Sequence, residues 1–160
     1  MIRLLTLVVL ALALVSTQGE ARSKRIHVTA EVVEMTASGD PGEPKIGDQR
    51  ITRVVLIDQR EEVGTGTGIC TLVSLPAPGE DGLVQCFITA AFAKKGQIIF
   101  GGTAPLPNIG AVGHFGIFGG TDDFRTARGE VTLVVLTPDL QDATFDIKFD
   151  SGWRHGKFTE

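Results

Sequence analysis

Apolar and polar side chains alternate with a period of two along much of the chain. Over the last such stretch Phe145, Ile147 and Phe149 fall on one face and Asp146, Lys148 and Asp150 on the other, as in a strand with one dry and one wet side. Stretches rich in β-branched residues, punctuated by Gly, Pro and Asp, predict strands over 26–34, 50–59, 65–75, 83–92, 97–101, 112–118, 129–137 and 143–149, with a long loop over 36–44. No segment between Arg22 and Glu160 sustains a 3.6-residue apolar period, so the class is all-β. Eight short strands joined mostly by tight turns close either as a sandwich or as an up-and-down barrel, and periodicity does not choose between them. Val131 to Leu136 and Ile51 to Ile57 are apolar on both faces, which a barrel with an apolar lumen and a covered outer surface explains, as does a sandwich core.

The first residues follow a different pattern. Met1-Ile2-Arg3 precede an unbroken apolar run from Leu4 to Val15, followed by Ser16-Thr17-Gln18 and then Gly19-Glu20-Ala21. The run is too short to span a bilayer, and the small residues at Gly19 and Ala21 suit a signal peptidase. Residues 1–21 are read as a secretory signal peptide and 22–160 as one domain, with an uncleaved anchor as the alternative reading. The expected location is therefore extracellular or periplasmic, with no stable membrane anchor after cleavage.

Export changes the meaning of the two cysteines. Cys70 and Cys86 flank the turn-rich segment Pro76 to Gly82, and antiparallel pairing about that turn sets them opposite each other. In an oxidising compartment this predicts a cross-strand disulfide; a free reactive thiol at Cys70 is the rival. Composition removes other classes. With 15 Lys plus Arg against 19 Asp plus Glu, a net charge of -4, and no basic cluster, nucleic acid is not an expected partner. There is no Tyr, which removes tyrosine acid/base chemistry. His27, His114 and His155 lie far apart without ligand spacing, so no metal is expected. No Gly-x-Ser-x-Gly occurs, and a hydrolase triad lacks support. Gly64-Thr65-Gly66-Thr67-Gly68 lacks the Gly-Lys-Ser/Thr ending of a phosphate loop and is placed at a strand start, where glycine marks coiling or close approach.

Phe115-Gly116-Ile117-Phe118-Gly119-Gly120-Thr121, then Phe124, then Ala127-Arg128-Gly129 before Val131, resembles the signature of allene oxide cyclase and dirigent proteins. Val63 to Cys70 is similar to the plant cyclase segment in which a glycine-containing strand reaches a cavity-lining cysteine, and Gly96 to Gly102 to a later strand. The resemblance runs with gaps from about Ile26 to Phe149. It implies an eight-stranded antiparallel up-and-down barrel, usually trimeric, that holds an apolar substrate in its lumen and closes a ring mainly by steric control, with no cofactor.

Residue by residue, the resemblance implies a lumen-facing Cys70. Parity then turns Leu72, Val84, Cys86, Ile88, Ala90 and Phe92 the same way. Glu31 occupies the place of the acidic residue that polarises substrate in the plant cyclases, with a solvated strand carboxylate as the alternative; the asparagine expected two residues later is Val33 here. Arg128 either binds a substrate carboxylate or fixes its turn through Asp122, Asp123 or loop carbonyls. Phe115 belongs first to the core and second to a substrate-stacking wall. The implied function is a template for cyclisation or isomerisation of an apolar small molecule. The rivals are a lipocalin-like carrier without turnover and a dirigent-type protein that steers radical coupling.

Overall fold

A computed structural model describes residues 22–40, 42–76 and 82–150; the expected signal peptide, most of the β3–β4 connection and the last ten residues, with His155, lie outside them. The chain forms eight strands, β1 Ser23–Ala37, β2 Gln49–Asp58, β3 Glu61–Ser74, β4 Leu83–Phe92, β5 Gly96–Pro105, β6 Val112–Gly120, β7 Ala127–Thr137 and β8 Leu140–Phe149, with a short 3-10 turn at Asp122–Phe124. Each strand pairs with its sequence neighbour, and β1 pairs antiparallel with β8. The sheet is a closed barrel with no free edge. Closure decides between the two architectures that periodicity left open.

Two boundaries differ from the sequence expectation. β2 and β3 meet in a two-residue turn at Gln59-Arg60, with φ of 48° and 74°, so β3 starts four residues before Thr65 and carries its glycines inside the strand. β1 continues past Glu34 because a bulge between Val32 and Glu34 lets Met35, Thr36 and Ala37 go on pairing with β2.

Alternation then sorts the side chains. Val28, Ala30, Leu56, Leu72, Val84, Cys86, Ala90, Phe100, Phe115, Val131, Ala143 and Phe145 are buried inside the ring. The two ends differ. At the end carrying the β2–β3, β4–β5 and β6–β7 connections, Phe124 folds in from the 3-10 turn and meets Phe92 with ring centroids 5.6 Å apart. Phe92 meets Phe145 edge to face at 5.5 Å, and Phe145 meets Phe100 at 5.5 Å. These contacts cross the barrel and fill its lower half with rings. Among the described residues no comparable ring contacts cross the other half.

The outer surface is also divided. Around β6, β7, β8 and β1 it carries exposed polar pairs, Arg25–Asp146 at 2.6 Å, His27–Asp142 at 2.8 Å and His114–Glu130 at 3.2 Å. The Asp146 carboxylate accepts a hydrogen bond from Arg25 and raises its guanidinium pKa further above its ordinary value. From β2 across to β6 the outside carries Ile51, Ile69, Phe87 and Phe118.

Candidate functional site: an open apolar lumen

The unfilled upper half of the barrel is a cavity of about 750 Å³, within the size range of small-molecule sites. Phe100, Phe115 and Phe145 face it from the aromatic cluster below. Its wall is aliphatic, with Val54, Leu56, Leu72, Val84, Ile88, Ala104 and Leu133 among the contributors. Its mouth is formed by the β1–β2 and β5–β6 connections and by Pro138. Backbone hydrogen bonds hold this rim in place: Gly47 N donates to Leu72 O and Leu72 N to Asp48 O, both at 2.8 Å, while Gly110 N donates to Val135 O at 2.8 Å.

The space exists partly because side chains are missing. Gly66 and Gly68 occupy inward positions on β3. A Cβ at Gly66 would stand 2.8 Å from Val54 Cγ2, and one at Gly68 would stand 3.1 Å from Ile88 Cγ1. The neighbouring side chains lean over a bare strand, which leaves the centre open.

Chemically the lumen is quiet. No polar or charged residue is buried among the described residues, and the charged side chains that reach the cavity are Asp40, Asp48 and Arg50, all at the rim. Among the described residues no three His, Cys, Asp or Glu side chains converge as a metal site. Such a wall offers shape, and below the rim its inward polar side chains are the uncharged Thr52 and Gln141.

The residues singled out in the sequence separate into two groups. Cys70, Leu72, Val84, Ile88 and Phe115 all line the cavity, together with Cys86 and Ala90. Cys70 and Cys86 pair directly across β3 and β4, with Cα atoms 4.1 Å apart, and are joined by a disulfide in the wall. Phe92 points inward but lies beneath the cavity, packed on Phe124 and Phe145.

Glu31 and Arg128 are outside. Glu31 follows the buried Ala30 and pairs with Val55, so its side chain is exposed on the outer face. The bulge that reverses the parity of β1 comes only after Val32, too late to turn Glu31 inward. The polarising carboxylate of the plant cyclases therefore has no counterpart at this position. Arg128 is exposed near the closed end, where its Nη1 donates to the carbonyl of the adjacent β7 residue Ala127 at 2.7 Å, and it forms no ion pair with Asp122 or Asp123.

Sequence reasoning missed the inward polar positions of the upper barrel: Arg50 and Thr52 on β2, and Gln141 on β8. The available signal is the even-numbered alternation Arg50, Thr52, Val54, Leu56, which the interleaved Ile51, Arg53 and Val55 obscure by being of mixed polarity too.

No family model and no curated protein matches the sequence. Solved structures do match in fold. A pyocyanin demethylase superposes with a TM-score of 0.67 at 21% identity, covering 77% of this chain and 99% of its own. The Diels-Alderase AbmU from Streptomyces koyangensis gives 0.67 at 16% identity, covering 84% and 72%. A pterocarpan synthase dirigent protein gives 0.63 at 19%, covering 81% and 89%. At these identities the likeness speaks for architecture alone. Eight antiparallel strands in simple order, the open apolar lumen and these superpositions together give this chain the barrel fold of the allene oxide cyclase and dirigent type.

Proposed function

We propose that this chain is an exported barrel that admits one apolar small molecule to its lumen and holds it in the folded conformer from which a ring closes or a bond isomerises, without a cofactor. The observation that carries the reading is the combination of an open 750 Å³ cavity, an aromatic base and a wall with charge only at its rim. A reaction whose substrate is already reactive needs little more than a restricted geometry, and positioning alone supplies up to about 7–11 kcal/mol of barrier lowering in well-oriented cases. A Diels-Alderase among the proteins sharing the fold supports the same class of chemistry.

Export is supported by the apolar leader at residues 4–15 and by the lumen disulfide, a bond that persists in oxidising compartments. A second reading, a carrier that binds without turnover, is favoured by that export, since biosynthetic intermediates are made inside the cell. A dirigent-type role is the third, supported by the pterocarpan synthase likeness. For assembly we propose a homotrimer or another homo-oligomer. Phe87 and Phe118, stacked at 6.2 Å and 52% and 54% exposed, lie beside Ile51 and Ile69 and form an apolar strip suited to a second copy.

Native mass spectrometry of protein purified from its producing cells tests the function. A co-purifying small molecule of one mass supports a lumen guest, and its conversion on incubation to an isomer, resolved by chromatography of the extracted guest, separates templating from carriage. Stereocontrol that appears only with an added oxidase would assign the dirigent role. Protein that leaves its producer without guest, and takes up no apolar molecule afterwards, contradicts the reading.

A further inference from the structure

Along the inward face of β2, burial falls steadily towards the mouth. Leu56 is buried, Val54 and Thr52 are half-buried and Arg50 is exposed. Arg50 pairs directly with Cys70 on β3 and with Ala37 on β1, and both of these line the cavity. Directly opposed residues of an antiparallel pair project to the same side of the sheet. The guanidinium of Arg50 is therefore carried on the lumen side of the rim, above an uncharged well.

What sets Arg50 apart among the described residues is that it is the arginine lining the cavity and that no other side chain pairs with it. Arg25 and Arg53 on the outer surface are taken by Asp146 and Glu34. Arg50 has neither an ion pair nor a side-chain hydrogen bond among the described residues. The two rim carboxylates are engaged by their own loop: Gly42 N donates to Asp40 Oδ1 and Lys45 N to Asp48 Oδ2, each at 2.8 Å.

Resting on the lumen-guest reading above, we infer that Arg50 is the anchor for a guest with an apolar body and a terminal carboxylate. The planar guanidinium matches a carboxylate with two parallel N–H donors. An ionised head is disfavoured in the depth of the cavity, because below Arg50 the inward polar groups are the uncharged Thr52 and Gln141 and no cation lies there to pair with it. Head and tail are thus sorted: the carboxylate stays at Arg50 while the body lies against Phe100, Phe115 and Phe145. Arg50 fixes which end of the guest enters first and so selects acids over neutral analogues of the same shape.

The test titrates the purified protein, at a pH where the acid is ionised, with parinaric acid and with its methyl ester. Uptake is read from polyene fluorescence. The wild type should bind the acid about tenfold more tightly than the ester, the ratio expected for one partly exposed charge-assisted pair. Arg50→Gln should reduce the acid to the affinity of the ester and leave the ester unchanged, and Arg50→Lys should keep part of the preference. Raising the salt should shrink the advantage of the acid. Because Arg50 is exposed and bonded to no other side chain, the variants should melt with the wild type. Equal binding of acid and ester by the wild type, or a preference that survives Arg50→Gln, overturns the anchor and leaves the lumen reading intact. Failure of both probes to bind overturns both.

Discussion

Reducing the Cys70–Cys86 bond should lower the melting temperature by about 10 °C while leaving the barrel folded at room temperature. The two residues are 16 apart in sequence, and closing a loop of that length removes about 3 kcal/mol of freedom from the unfolded chain. The folded state loses little, because the register from Gly64↔Phe92 to Leu72↔Val84 already holds the two strands together around the bond. For a domain of this length each kcal/mol corresponds to about 3–4 °C. The assay is differential scanning calorimetry of oxidised protein, reduced protein and the Cys70→Ala/Cys86→Ala double variant. The double variant should melt slightly below the reduced wild type, since Cys86 is 4% exposed and its sulfur packs in the wall; the extra loss is about 1 kcal/mol. A reduced protein that melts within about 2 °C of the oxidised form would show that the bond does not constrain the unfolded chain as reasoned.

Other perturbations test other parts of the structure. Phe145→Ala removes the ring that joins Phe92 to Phe100 across the barrel and is itself 1% exposed; chemical denaturation should record a loss of about 3–5 kcal/mol. Gln59→Asn with Arg60→Gly places turn-favouring residues where φ is 48° and 74°, and the same measurement should show a gain of about 1 kcal/mol. Phe87→Asp puts a charge in the outer apolar strip beside Phe118. Sedimentation velocity should find smaller species than for the wild type, with an unchanged circular dichroism spectrum.

The strand pattern was legible because half of each strand faces a dry interior, so period-two alternation survives in β8 and β4 with little disturbance. The pairing of Cys70 with Cys86, and the shared face of Leu72, Val84, Ile88 and Ala90, follow from the same regularity, while the resemblance supplies that this face is the lumen. What could not be read are the interruptions. A Gln-Arg turn carries none of the Asn-Gly signal of a two-residue hairpin, so the sequence pattern begins β3 at Thr65 and sets its glycines at a strand end, whereas the strand begins at Glu61 and carries them against the lumen. The bulge after Val32 leaves no trace in composition; its position decides that Met35 and Ala37 reach the cavity while Glu31 does not. Phe92 was assigned the right face and the wrong depth, because alternation says nothing about height along a barrel. Arg50 stands in the mixed stretch Asp48-Gln49-Arg50-Ile51-Thr52-Arg53, where only the register beside Cys70 identifies its inward direction.

A guest can enter only if the upper half of the barrel is an open, largely apolar and reachable cavity. Titration with parinaric acid methyl ester, a neutral polyene, tests it most directly when the wild type is compared with Leu133→Trp, which enlarges a half-buried wall residue and fills the space. The expected result is saturation at one molecule per chain for the wild type and at least about tenfold weaker uptake by the variant, with both proteins equally folded. Uptake that never saturates, or that is the same in the variant, would contradict it.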